Sequence, residues 1–272
     1  MNGAGRKTGF TMILQKYLQG KSPDPALCED AIFQSEDFIA VIDGVTAKGS
    51  RLYDGKTSGA YAAEILCRAL EEMPAEDTAA AVISTLNEVL LSAGGEDASV
   101  EELPQANIVI FSRAREEIWL YGDCHFLVNG RLYDRPKEVD VLMASLRSFI
   151  AQDLILNGMD PQAASDQSRR QILPFLKMQA DFSGKEIPFG YDVLGGPVHP
   201  AHILIIPVKS GDHVVLSSDG YPKLFDTLEE SEAYLQELLR KDPFCIHENR
   251  QTKGTAPGNC SYDDRAYISF YV

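Results

Sequence analysis

Three apolar runs in this chain end on the same residue: Phe38-Ile39-Ala40-Val41-Ile42-Asp43-Gly44, Ile118-Trp119-Leu120-Tyr121-Gly122-Asp123, and His213-Val214-Val215-Leu216-Ser217-Ser218-Asp219-Gly220. Each is short and rich in β-branched or aromatic residues, so each reads as a strand that delivers an aspartate where it stops. Two further places show the reverse order. Asp263-Asp264 precede the apolar run 265–272, and Glu29-Asp30 open the run 30–34. A single Asp-Gly after a strand is an ordinary hairpin signal. Several carboxylates at strand ends can instead converge on one edge of a sandwich, and such convergence is costly unless cations neutralise it.

Outward from these runs, alternation and β-rich composition predict strands over residues 9–17, 30–34, 38–42, 107–111, 118–121, 126–128, 203–207, 213–217 and 266–272. Helical spacing appears over about 57–72, 77–91, 139–156, 161–179 and 229–240. Two helices in succession after the third strand break any β-α-β-α rhythm. Strands and helices arriving in runs predict an α+β domain, with sheet stacked on sheet and helices outside.

The chain has 272 residues, 44% of them hydrophobic, which is enough to bury a sizeable core. Its formal net charge of -15 argues against tracking a nucleic-acid backbone or an anionic membrane, because both would repel it. Divalent cations are the natural counter-charge. Five scattered cysteines without a C-x-x-C pair read as reduced thiols. The start of the sequence lacks the apolar run of a signal peptide, and no stretch approaches the ~20 apolar residues of a membrane span. The expectation is a cytoplasmic protein.

Oxygen ligands without accompanying His or Cys favour Mg2+ or Mn2+ over zinc. Two such ions about 3.5–4 Å apart would polarise a phosphoryl oxygen and activate a water for phosphoester hydrolysis without a protein nucleophile.

In order and spacing these strings resemble the type 2C metal-dependent serine/threonine protein phosphatases over nearly the whole chain. CEDAIF is similar to the family's Glu-Asp opening strand, FIAVIDGV to its Asp-Gly strand, and WLYGDCHFLVNG to its Gly-Asp hairpin. GDHVVLSSDGYPKLF resembles its most recognisable string, and SYDDRAYISFYV its closing strand. The resemblance implies a four-layer αββα sandwich of two antiparallel sheets flanked by helices. It implies a single domain over residues 1–272, with a helical flap or insertion at about 136–190. It implies two Mg2+ or Mn2+ ions as cofactors, with Asp43, Asp219 and Asp263 as catalytic metal ligands and Glu29 and Gly44 completing the set. Asp30, Asp123, Lys223 and Asp264 are accessory candidates, Asp264 being a rival to Asp263 for one place. The activity implied is hydrolysis of phosphoserine or phosphothreonine on a protein substrate, the product of a partner kinase. The alternative is a catalytically weak phosphatase-like domain that binds or regulates phosphorylated partners.

Three departures from the family pattern bear on this. The run DGVTAKG lacks the histidine that commonly follows Asp-Gly, so the loop needs other support. Lys223 stands where relatives often carry another aspartate that helps Asp123 hold an accessory third cation; it is expected to occupy or repel that position, where its ammonium could pair with Asp123, the alternative being a surface lysine pointing to water. No arginine precedes CEDAIF in a phosphate-gripping place, which leaves that task to the metals and to Lys48 or Arg51. GSRLYDGKTSG, residues 49–59, comes near a P-loop, but five residues separate its glycines where four are needed. His199 and His202 read as structural or surface residues.

Overall fold

The computed structural model describes residues 11–46, 49–95 and 102–272. It contains two five-stranded antiparallel sheets. The first runs in the order β2 (Asp30–Gln34), β3 (Phe38–Gly44), β4 (Ala106–Ser112), β5 (Glu117–Tyr121), β8 (Leu204–Pro207). The second runs in the order β1 (Met12–Gln19), β10 (Arg265–Tyr271), β9 (His213–Ser217), β6 (His125–Val128), β7 (Arg131–Tyr133). Helices α1 (Ser58–Glu71) and α2 (Ala79–Gly94) follow β3, α3 (Glu138–Leu156) and α4 (Pro161–Met178) follow β7, and α5 (Leu228–Lys241) precedes β10.

The period-two geometry of a strand divides each central run between two cores. From β3, β4 and β5, Phe38, Ala40, Ile42, Ile108, Ile110, Trp119 and Tyr121 point to one side, where they meet Leu66 and Leu70 of α1 and Val82 and Leu86 of α2. Ile39, Val41, Val109, Phe111, Ile118 and Leu120 point the other way, against Val214, Leu216, Ala266, Ile268 and Phe270 of the second sheet. The second sheet's outer face sends Val215 and Tyr267 to Leu235 of α5. The result is helix, sheet, sheet, helix. Every residue of β4 is buried because both faces of its sheet are covered, so these strands read as continuous apolar runs.

Each of the nine expected strands has its counterpart, and so has each of the five expected helices, with ends displaced by no more than three residues and β2 and β9 coinciding with their expected bounds. Residues 9 and 10 of the first expected strand lie outside the described residues. The short strand β7 was not anticipated. Its three residues, Arg131-Leu132-Tyr133, are exposed or half-buried at a sheet edge and leave no apolar run to read. Among the described residues, no helix is long and apolar enough to cross a membrane.

Helices α3 and α4 pack on each other through Val139, Met143, Ile172 and Leu176. They are fastened to the segment 242–255 by polar contacts. Arg147, fully buried, donates from its guanidinium to the carbonyls of Phe244, Cys245 and Gln251 at 2.9–3.1 Å and to Ser165 Oγ at 2.7 Å. Arg169 donates to the Thr252 carbonyl at 2.9 Å, and Ser148 to that of Ile246 at 2.6 Å. Replacing Arg147 by Met would leave three carbonyls without their charged donor, each worth roughly 1–3 kcal/mol when stranded. Arg147→Met is therefore expected to lower unfolding stability by about 3 kcal/mol or more, measured by urea denaturation.

Candidate metal centre

In an antiparallel pair the end of one strand lies beside the beginning of its neighbour. Asp43, the penultimate residue of β3, is thus the cross-strand partner of Asp30, which opens β2. On its other side Asp43 pairs with Asn107 of β4, whose amide nitrogen donates to Asp43 Oδ2 at 3.1 Å. Asp123 lies where the chain leaves β5 in one sheet for β6 in the other. Asp219 follows β9, and Asp263 and Asp264 precede its neighbour β10.

Three of these acids come together. Asp43, Asp123 and Asp219 each offer a carboxylate oxygen within 4.8 Å of the others. Asp219 is exposed to solvent, whereas Asp43 and Asp123 are half-buried. Buried oxygens without hydrogen-bond partners cluster here: Asp123 Oδ1, Asn107 Oδ1, Asp30 Oδ2 and Glu29 Oε1. Burial, then the charges of Asp123 and Asp263, push the Asp43 carboxyl up to about 7, against the Asn107 hydrogen bond and the charge of Lys137. Burial and then Asp43 raise Asp219 and Asp30 in the same direction. Within the trio only Asp123 has a cationic partner within ion-pair distance among the described residues, Lys137 at 2.8 Å. Cys124 next to it is buried with its thiol pKa well above normal, through burial and then the nearby acids, so it offers no thiolate. The donor set is all oxygen, which fits a hard divalent cation.

The glycines after two of the aspartates have a packing reason. A Cβ on Gly44 would lie 2.3 Å from the Gly59 carbonyl oxygen and 2.4 Å from that of Glu29, and one on Gly220 would lie 2.0 Å from that of Asp264. These close approaches draw the N-terminal end of α1, the start of β2 and the start of β10 up against the acids. The histidine missing after Asp43-Gly44 is replaced by other contacts: the Val45 amide donates to the Gln105 carbonyl at 2.9 Å, and the Thr46 hydroxyl donates to Glu29 Oε2.

The other expected site residues stand around this trio. Glu29 is buried and its Oε2 pairs with Lys21 at 3.3 Å. Asp264, also buried, accepts from Lys21 Nζ at 2.8 Å and from the Lys21 and Glu29 amides at 2.7 and 3.2 Å. Asp263 is held by Lys253 at 2.8 Å and by Lys21 at 3.5 Å. Burial would raise its carboxyl, yet the two lysines, Lys253 foremost, bring it below the ordinary value.

Lys223 does not pair with Asp123, contrary to expectation. Its ammonium sits 4.7 Å from the centre of the Phe225 ring and 5.6 Å from that of Tyr234. Two aromatic faces two and eleven residues downstream offered a nearer partner than the cleft. Lys137 takes the place beside Asp123 instead, at 2.8 Å, with both side chains about nine-tenths buried. Lys137 precedes α3 in a polar stretch, and no motif or periodicity marks it. Lys21, Lys253 and Asn107 are likewise functional neighbours that only tertiary pairing reveals. Of the two residues considered for gripping phosphate, Lys48 lies outside the described residues, and Arg51 lies over the Tyr53 ring at 5.2 Å. The histidines have structural partners: His202 Nδ1 is 2.9 Å from Asp192, and His199 Nε2 is 2.7 Å from the Gly184 carbonyl.

No protein-family model matches the sequence, and no curated protein matches it. Solved structures match the fold over nearly its whole length. One is PppA, a regulatory component of the type VI secretion system in Pseudomonas aeruginosa, at 14% identity and a TM-score of 0.48, with 97% of this chain and 98% of that one covered. Another is the Mycobacterium tuberculosis serine/threonine phosphatase PstP, at 14% identity and 0.48, covering 96% and 99%. A third is a catalytic domain of the phosphatase PstP in complex with two manganese ions, at 16% and 0.48, covering 96% and 100%.

An aspartate whose pKa rises on folding, here from 3.8 to about 7, adds stability below pH 3.8 and loses it as the pH climbs through 7. In EDTA, Asp43→Asn is therefore expected to melt above the unsubstituted protein at pH 8, with the gap closing toward pH 4. Thermal unfolding monitored by circular dichroism at these pH values measures it.

Proposed function

We propose that this chain is a divalent-cation-dependent phosphatase that hydrolyses phosphoserine or phosphothreonine monoesters on a protein. The observation that carries the reading is the convergence of Asp43, Asp123 and Asp219, drawn from three separate strand ends to within 4.8 Å, with buried oxygens beside them that lack partners. The ordered likeness of five sequence strings to the type 2C phosphatases supplies the chemistry. In this reading Asp43, Asp123 and Asp219 hold Mg2+ or Mn2+, and the Gly44 carbonyl lies beside them. Glu29, Asp263 and Asp264 line the same cleft from the side of Lys21 and Lys253.

A bound cation would polarise a phosphoryl oxygen and lower the pKa of a water, so that hydrolysis proceeds without a nucleophilic side chain. The protein's own groups do the rest. Asn107 orients Asp43 through the 3.1 Å hydrogen bond, keeping one carboxylate oxygen fixed. Lys137 holds Asp123 by one oxygen and leaves the other buried and without a partner. Lys253 is partly open to solvent and gives the cleft a cation that attracts a phosphate dianion. Free cysteines throughout the described residues suit a reducing, cytoplasmic setting for such an enzyme and for a kinase that supplies its substrate.

One observation favours a second reading, in which the domain binds phosphorylated partners and turns them over weakly. Asp263, expected to be a metal ligand, is already ion-paired with two lysines.

Release of phosphate from p-nitrophenyl phosphate and from phosphothreonine peptides, with Mn2+ against EDTA, separates the two. Mn2+-dependent turnover is expected, and Asp43→Asn or Asp219→Asn should each reduce kcat/KM by about 100-fold or more with circular dichroism unchanged. Retention of bound phosphopeptide without phosphate release would support the binding domain instead.

A further inference from the structure

The acids of the cleft differ sharply in which of them already own a positive partner. Asp123 gives Oδ2 to Lys137 at 2.8 Å and keeps Oδ1 buried and unpartnered. Lys137 is a built feature: its side chain is 9% exposed, and its ammonium lies 5.2 Å from the centre of the Tyr191 ring. Asp263 has both oxygens engaged, Oδ2 by Lys253 at 2.8 Å and Oδ1 by the Asp264 amide at 3.0 Å and Lys21 at 3.5 Å. Lys21 also neutralises Asp264 and Glu29, at 2.8 and 3.3 Å. Among the described residues, no lysine, arginine or histidine lies within ion-pair distance of Asp43 or Asp219.

We propose that this centre takes one divalent cation, on Asp43, Asp219 and the free oxygen of Asp123, and that Lys137 and the Lys21–Lys253 pair stand where further cations would otherwise sit. The inference rests on reading the trio as a metal centre, and departs from the two ions implied by resemblance. An ammonium on a buried carboxylate is a fixed charge that a second cation must either displace or approach against repulsion. Displacement would leave the lysine buried and unpaired, which burial penalises heavily. At Asp43 and Asp219 no ammonium has to be displaced, because no described lysine or arginine is paired with either. The lysines thereby act as positioning residues that set how many ions the cleft accepts.

Mn2+ titration of the full, chelator-stripped chain by isothermal calorimetry, with the bound ions counted by native mass spectrometry, tests this. One equivalent per chain is expected. Lys253→Met, whose lysine is about a quarter exposed and whose loss the fold should tolerate, and Lys137→Met are each expected to raise the count to two. Circular dichroism of both variants checks that they fold. Two equivalents of comparable affinity in the unsubstituted chain would overturn the proposal, as would a count of one in both folded variants. The count is independent of turnover. Two ions with phosphate release would overturn the single-ion inference and keep the phosphatase, whereas one ion without phosphate release would do the opposite.

Discussion

Mutual repulsion among carboxylates is the constraint that organises this protein. Seven acids, Glu29, Asp30, Asp43, Asp123, Asp219, Asp263 and Asp264, are brought by five strand ends to one edge of a β-sandwich, three of them (Glu29, Asp30 and Asp264) buried and only Asp219 exposed. Burying one such charge alone is unfavourable; burying several side by side requires compensation by opposite charge, by hydrogen bonds or by protonation. All three appear. Lys21, Lys253 and Lys137 neutralise one part of the set, Asn107 and the Asp264 amide donate hydrogen bonds, and the carboxyls of Asp30, Asp43 and Asp219 are driven toward their protonated forms.

The sandwich tolerates this strain because the rest of it is ordinary and thoroughly packed. Phe111 and Phe270 meet between the sheets with ring centres 5.1 Å apart, and Phe38 and Trp119 meet beneath α1 and α2 at 6.2 Å. These contacts fix the registers, and the registers fix which acids are neighbours. A one-residue slip between β3 and β4 would turn Asp43 away from Asn107 and carry the inner face of β3 outward. The hydrophobic layers therefore act as the jig on which the polar edge is assembled.

Much of this was legible in the sequence, for a physical reason. Buried strands announce themselves through β-branched and aromatic runs, and an aspartate that stops such a run must lie near a sheet edge. FIAVIDG and HVVLSSDG thus disclosed both the sheets and the acids at their ends. The short edge strand β7 escaped notice because it buries almost nothing. The lysines escaped for another reason. Lys21 and Asp264 are 243 residues apart and Lys137 and Asp123 are 14 apart across a change of sheet, so neither pairing leaves a periodic trace. Lys223 stands four residues after Asp219, where the family pattern suggests a place in the site, but two aromatic rings on its own segment hold it elsewhere.

The buried guanidinium of Arg147 has a reach beyond its own hydrogen bonds. By clasping the carbonyls of 244, 245 and 251 it welds α3 to the segment that leads to Lys253, while Lys137 immediately precedes α3. The ammonium groups that pair with Asp123 and Asp263 are thus mounted on a single bracket. A change in the length or tilt of that bracket would be felt as an altered electric field at Asp123 and Asp263, even though no acid had moved.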